Sequence, residues 1–502
     1  MNDSGKSDRP VVPTKPLNKT SDASAKEVAE MVEGRGLAKG NLLEQNTIRI
    51  QDRGVVSSAL ERIRLKAKAD KECKFTNLMH NIYSEEALLS AFEALEKNAA
   101  AGIDEVTWQI YEGDLSKNLR DLSERLRTGG YRAKAVRRVF IPKADGKQRP
   151  LGIPTLEDKI VQKATAEVLN AIYETDFLGF SYGYRPGRSQ HNALDAVYTG
   201  ILTKKVNWVL DGDIRSFFDR LDHEWLMKFI EHRIADQRVL RLIRKWLKAG
   251  VLEGGIWKSS EEGTPQGGNI SPLLANIFLH YVFDLWANAW RKSCVGRDVI
   301  VVRYADDFIV GFDSQKDARR FRQDLEERLK KFGLELHPEK TRVIEFGPLA
   351  ARNRARRKEG KPETFNFLGF THICGKKHGN GMFTIHRKTM RERMRSKFRE
   401  LKIEMRRRMC VSVGDQGKWL RSVLLGLDRY FGVPGNWKAL HQYRWGISGL
   451  WWRTLRRRGN RRKLTWANMQ VLIGMWFPMI QIYHPYPLVR MGVITQGKSR
   501  MR

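Results

Sequence analysis

Two short acidic clusters in the chain have the composition of a catalytic site. One is Asp213-Ile214-Arg215-Ser216-Phe217-Phe218-Asp219, which follows the alternating run 206–213. The other is Tyr304-Ala305-Asp306-Asp307, set between the β-branched and aromatic runs 299–304 and 308–312. Carboxylates on neighbouring strands can hold two hard divalent cations about 3.5–4 Å apart. One ion of such a pair activates an attacking hydroxyl, and the other neutralises a departing pyrophosphate. An Asp-Asp pair by itself is only a polar turn. Here the apolar flanks draw both carboxylates toward a sheet interior, where unpaired like charges are costly and a cation relieves the cost.

The elements that must position these groups are legible in outline. The spacing predicts a strand over 206–213 and a hairpin from 299–304 and 308–312, with the second carboxylate pair at its turn. Helical periodicity predicts helices over 48–70, 84–98, 157–173 and 317–332, and one or two helices over 224–248. A second helical zone is expected over 386–409, 418–431 and 437–458. Residues 1–45 are rich in Ser, Lys, Asp, Pro and Gly, and are expected to form a flexible polar tail.

Composition narrows the partners. The 502 residues carry 91 Lys and Arg against 57 Asp and Glu, a net charge of +34. A polyanion is implied, nucleic acid before an anionic membrane surface. With 41% apolar residues the chain can build a core, and no run approaches the ~18 apolar residues of a membrane span, so no membrane is expected. The cysteines Cys73, Cys294, Cys374 and Cys410 form no CxxC pair, which argues against a zinc finger or disulfide framework and fits a reducing, cytoplasmic setting. The charge is uneven. From Lys376 to Arg502 there are 29 basic and 5 acidic residues, +24 of the total, together with Trp419, Trp437, Trp445, Trp451, Trp452, Trp466 and Trp476. Arginine neutralises phosphate while flat rings pack a core or stack on bases. The runs Arg406-Arg407-Arg408 and Arg456-Arg457-Arg458 are candidate nucleic-acid contacts, and Phe398, Leu401 and Met405 read as the apolar stripe of a helix beside them.

The acidic clusters resemble the palm of reverse transcriptases, and Tyr304-Ala305-Asp306-Asp307 has the form typical of group II intron proteins. Further blocks follow in that family's order. They are 98–104 (NAAAGID), 141–154 (IPKADGKQRPLGIP), 182–189 (YGYRPGRS), 263–272 (GTPQGGNISP), 334–341 and 367–370 (FLGF). The resemblance runs from about Phe75 onward. It implies an α+β right-hand polymerase, with fingers and palm over 46–370 and a basic helical thumb or maturase domain over 371–502. It implies an RNA-directed DNA polymerase that copies intron RNA into cDNA and assists splicing and mobility of a group II intron. The partners implied are intron RNA, an RNA template with a DNA primer, dNTPs and a DNA target site, in a bacterial cytoplasm and nucleoid.

Residue by residue, Asp213, Asp306 and Asp307 match the family's metal-binding carboxylates, with the Ile214 carbonyl as a further ligand and Mg²⁺ as the expected pair of ions, Mn²⁺ as a substitute. Lys143 and Arg149 match the fingers cations on the triphosphate. Gln266 matches a residue at the incoming nucleotide, and Phe218 the ring that excludes a ribose 2′-hydroxyl. Arg185 and Arg188 fall in a block expected to touch nucleic acid. Asp211 and Asp219 read as structural, and 352–358 as a basic loop. The sequence departs from the pattern at Ala99, where a lysine is usual, and shows no His/Cys cluster of the HNH type, so cleavage of a second DNA strand is not expected from this polypeptide. Two other readings fit the same residues: a mainly RNA-binding splicing factor, and a host-domesticated enzyme acting in defence or DNA repair.

Overall fold

Continuous apolar runs, rather than alternating ones, mark strands covered on both faces. The runs 299–302 and 308–312 are of that kind, and they form two neighbouring strands of one sheet. A computed structural model describes residues 46–142, 148–253, 256–258, 268–377, 379–458 and 464–491. The expected tail 1–45, Lys143 and Gln266 lie outside these residues.

The fingers sheet has the order β2-β1-β4-β5, built from β1 (Val136–Pro142), β2 (Gln148–Ile153), β4 (Val251–Glu253) and β5 (Ile256–Lys258). Its β1–β4 pair is parallel and the rest antiparallel. The palm sheet is antiparallel in the order β6-β7-β3-β8, from β3 (Trp208–Asp213), β6 (Val299–Tyr304), β7 (Asp307–Phe312) and β8 (Arg342–Glu345). Residues of β6 alternate between two cores. Val299 and Val301 join one cluster with Leu210, Phe308 and Val310, while Ile300 and Val302 join another with Val209, Ile309 and Ile344. Helix α1 (Gln190–Thr203) packs on the second face and α2 (Gln315–Lys330) against β3, β7 and β8. Both helices start on serine caps, Ser189 accepting from the Asn192 amide and Ser314 from the Asp317 amide, which satisfies an otherwise orphaned donor.

Expected helices appear at Asn46–Ala69, Glu85–Glu93, Leu156–Tyr173, His223–Glu231 and Gln237–Lys248. The expectation of helix over 386–409 is corrected at its start. Phe383–Thr389 is strand β11, paired along its length with β10 (Phe370–Lys376), which also pairs with β9 (Phe365–Phe367). Seven cross-strand pairs and the burial of Ile385 and Arg387 outweigh local helical periodicity there. The boundary expected at 370/371 therefore falls inside a three-stranded sheet, whose Phe370 and Ile385 belong to the palm's second core. Residues 352–358 also differ from the expected loop. Ala350–Arg356 is a short helix, with Arg354 and Arg357 paired to Glu359 and Arg357 also to Glu345.

A separate helical core begins at α3 (Arg391–Arg407) and continues through α4 (Val413–Phe431), α5 (Trp437–Arg456) and α6 (Trp466–Trp476). Leu401, Met405, Leu420, Leu424, Tyr443, Ile447, Trp451 and Met469 fill it, with Phe398 against Tyr443 at 4.6 Å. Trp451 is fully buried and donates its indole N–H to Gln416 Oε1 at 2.9 Å. Trp437, Trp445 and Trp466 remain exposed. The segment after α6 then returns to the palm, where Leu488 and Met491 join the second core.

Candidate active site

Register brings the two acidic clusters together. Asp213 ends β3 and stands directly opposite Asp307, the first residue of β7. Asp211 opposes Ile309 on the same pair of strands, and side chains two apart share a face, so Asp211, Asp213 and Asp307 lie on one face of the sheet. On the other face Gly212 opposes Phe308, and a Cβ on Gly212 would overlap that ring. Tyr304 pairs with Asp307, leaving Ala305 and Asp306 as a two-residue turn. Ala305 has φ +56°. A positive φ at the first of two turn residues normally selects glycine, and a residue with a Cβ held there costs about 1–3 kcal/mol.

Four carboxylates in this space oppose one another. Crowding by protein, then the like charges of Asp306, Asp213 and Asp211, push the Asp307 carboxyl up to about 7, while Lys340 pulls it down. Asp307 still meets solvent, which screens both the crowding and the like-charge repulsion. Burial likewise pushes Asp211 up to about 6, against the pull of Arg342 at 3.5 Å. Lys340 Nζ lies 2.7 Å from Asp213 Oδ2 and takes up one of the charges. Among the described residues no three acidic, His or Cys side chains already converge on a point fit for a metal ion. The Lys340 contact accounts for this in part, because it turns the Asp213 carboxylate onto an ammonium. The donor set still fits a hard divalent cation: oxygen ligands only, on adjacent strands, carrying mutual repulsion that a cation would relieve.

That repulsion predicts a stability effect. A carboxyl whose folded pKa lies above its unfolded value disfavours the fold increasingly as pH rises from the unfolded value, near 4, to the folded one, about 7 here. Asp307→Asn is therefore expected to raise the melting temperature of the metal-free protein at pH 8, with the gain vanishing below pH 4. Equal melting curves for the two proteins at pH 8 would remove the repulsion from the account.

Segment 334–341 wraps the end of β3. The His337 amide donates to the Asp213 carbonyl at 2.8 Å, Leu336 bridges Ile214, and the Arg215 amide donates to the Glu335 carbonyl at 3.0 Å. Ile214 is buried. After it, Ser216 at φ +49° turns the chain into a 3₁₀ turn, Phe217–Asp219, where Phe218 is 8% exposed with its ring 5.4 Å from Phe217. Arg149 sits on β2 opposite Ile141. Beyond Gln266, the Asn269 amide donates to Gln162 Oε1 at 2.9 Å and its side chain to the Lys159 carbonyl, anchoring that block to the helix Leu156–Tyr173. Lys159 and Arg137 in turn donate to the carbonyls of Ala100 and Ala101, so the 98–104 block acts here as backbone tied to the fingers.

One expected nucleic-acid contact is corrected, and a second is partly withdrawn from the surface. Arg185 is 5% exposed; it grips the Glu174 carboxylate at 2.9 Å and the carbonyls of Leu178 and Ser181. Arg188 is half-buried over the Tyr182 ring and donates to the Gly179 carbonyl at 2.7 Å. Arg185 is thus engaged inside the protein, while Arg188 keeps part of its side chain at the surface. In the basic helices the runs divide. Arg406, Arg407, Arg457 and Arg458 are exposed, whereas Arg408 pairs with Glu404 and lies over Trp419, and Arg456 lies over Trp452. Lys340 lies in the 334–341 block and Arg303 directly precedes Tyr304, yet the contacts of Lys340 with Asp213 and of Arg303 with Asp284 are made only by the fold.

A family model described as "Reverse transcriptase (RNA-dependent DNA polymerase)" matches residues 141–372. Protein YkfC of Escherichia coli is 35% identical over 325 residues, 58% of this chain and 84% of that protein. Group II intron-encoded protein LtrA of Lactococcus lactis is 37% identical over 222 residues, which is 44% of this chain and 37% of that protein. Nuclear intron maturase 4 of Arabidopsis thaliana is 24% identical over 271 residues, 32% of its length.

Proposed function

This chain belongs to the reverse transcriptase family, of the kind encoded by group II introns, and we propose on that premise how its residues carry RNA-directed DNA synthesis. The observation that carries the reading is the opposition of Asp213 and Asp307 beside the Ala305-Asp306 turn. Asp213, Asp306 and Asp307, with the Ile214 carbonyl, would hold divalent ions, Mg²⁺ being the natural choice for an all-oxygen donor set. When bound, such ions lower the barrier to attack by a primer 3′-hydroxyl and neutralise the pyrophosphate. Lys143 and Arg149 hold the triphosphate of the dNTP, where fixed cations stabilise the charge that develops on it. Gln266 lies against the incoming nucleotide, and Phe218 leaves no room for a 2′-hydroxyl.

Outside the catalytic centre, Arg406, Arg407, Arg457 and Arg458 bind duplex and intron RNA. The same face assists intron splicing, and a DNA target site is engaged during mobility. Extension of a DNA primer on an RNA template tests the polymerase reading directly. Wild-type protein should extend with dNTPs, and Phe218→Ala should raise incorporation of ribonucleotides tenfold or more. Absence of extension with any divalent cation sinks the polymerase reading. Extension with unchanged sugar selectivity removes Phe218 as the gate.

A further inference from the structure

Beneath the catalytic turn lies a buried guanidinium whose bonding is complete. Arg303, in β6, is 1% exposed at its side chain, and its partner Asp284 is 0% exposed. Arginine carries five N–H donors in a rigid fork. Here Nε donates to Asp284 Oδ1 at 2.6 Å, and Nη2 to Asp284 Oδ2 at 2.6 Å and to Ser181 Oγ at 2.7 Å. Nη1 donates to Asn276 Oδ1 at 3.0 Å and to the Ala305 carbonyl at 2.9 Å. The last of these bonds is made to the strained residue of the turn itself, one position before Asp306.

Other blocks converge on the same group. Asn276, in the helix Ser271–Leu279 that follows the block containing Gln266, donates its side chain to the Gly183 carbonyl at 2.6 Å. Gly183 lies so close under the turn that a Cβ would overlap the Ala305 nitrogen. The backbone of Arg303 donates to the Phe180 carbonyl and accepts from the Tyr182 amide, at 2.9 and 2.8 Å. Asp284 closes a π-helical turn, His280–Asp284, an irregularity that aims its carboxylate inward from between two α-helical stretches.

We propose that Arg303 and Asp284 are positioning residues that fix the Ala305-Asp306 turn relative to the nucleotide-contacting block through Asn276. The pair touches no substrate. It holds the Ala305 carbonyl, which keeps the left-handed conformation that delivers Asp306 and Asp307 to the site. A lysine at 303 keeps the charge but not the planar fork, so it cannot bind Asp284 in two places and also reach Ala305.

The inference rests on the polymerase reading, and wild-type extension in the same assay separates the two: a wild-type protein that fails to extend overturns that reading, not this pair. Arg303→Lys is expected to lower kcat for dNTP addition 10–100-fold, with KM for dNTP and affinity for template–primer within twofold of wild type. Mn²⁺ binding, read by electron paramagnetic resonance without substrate, should weaken several-fold in the same variant. Asp284→Asn should give the same pattern. Ser181→Ala, which removes a bond to the same guanidinium on the side away from the turn, should keep kcat within threefold. A folded Arg303→Lys protein with wild-type kcat and Mn²⁺ binding overturns the proposal. So does an equal loss in Ser181→Ala, or failure of both Arg303→Lys and Asp284→Asn to fold, because either result assigns the pair to the fold alone.

Discussion

Asp306→Ala is expected to abolish cDNA synthesis, by on the order of 10³–10⁵-fold, while the protein stays folded and still binds RNA. Asp306 occupies the second position of a turn whose conformation is set at Ala305, so its side chain is not what builds the turn. Its charge raises the pKa of Asp307, so its removal relieves that repulsion. The loss is expected in catalysis, because Asp306 stands in the turn beside the opposed Asp213 and Asp307. The exposed arginines of α3 and those that follow α5 lie on the separate helical core and should hold RNA as before. The checks are primer extension, gel retardation with intron RNA, and excision of that intron in vitro. Unchanged extension ends the assignment of the site. Excision that survives without cDNA separates a splicing role from the polymerase, and excision indifferent to the protein ends the splicing role.

Asp195→Ala should have the largest effect on stability. Asp195, on α1, is 1% exposed and receives two arginines from distant parts of the chain. Arg387 of β11 binds one oxygen at 2.6 Å, and Arg490, near the end of the described chain, approaches the other at 3.1 Å. Removing the carboxylate leaves Arg387, itself 2% exposed, with its charge unanswered. Breaking a buried pair from one side costs about 3–5 kcal/mol, whereas replacing both partners by apolar groups of similar size is often near neutral. Asp195→Leu combined with Arg387→Met should therefore recover most of the loss, since Arg490 is partly exposed and can regain water. Urea denaturation midpoints decide it. A single variant as stable as wild type, or a double variant worse than the single, contradicts the account.

The sequence carried the chemistry further than the architecture. The Asp306-Asp307 hairpin is local, so flanking β-branched residues and a tight turn announce it. The palm order β6-β7-β3-β8 is not local: β3 pairs on its two sides with strands far downstream, Asp211 meeting Ile309 on one and Arg342 on the other, and no periodicity encodes which apolar run meets which. Strand β11 was hidden for the same reason. Its basic residues continue without a break into a helix, and the inward turn of Arg387 makes sense only beside Asp195. Arg185 misled through its charge. Nothing within its own block shows that Glu174, in the preceding stretch, closes on it. Lys340 could be read as part of a family block, but its contact with Asp213 spans two elements that only the sheet brings together.

The return of the chain to the palm after α6 bears on the order of events during synthesis. His484 stacks on His191 of α1 at 3.5 Å between ring centroids, and Met491 enters the core shared with Val209 and Ile300. A ribosome delivers residues in order, and contacts between distant parts of a chain form late. The polymerase half cannot close its second core while residues 484–491 are still inside the exit tunnel. That core is therefore completed only after the basic helices have emerged from the ribosome.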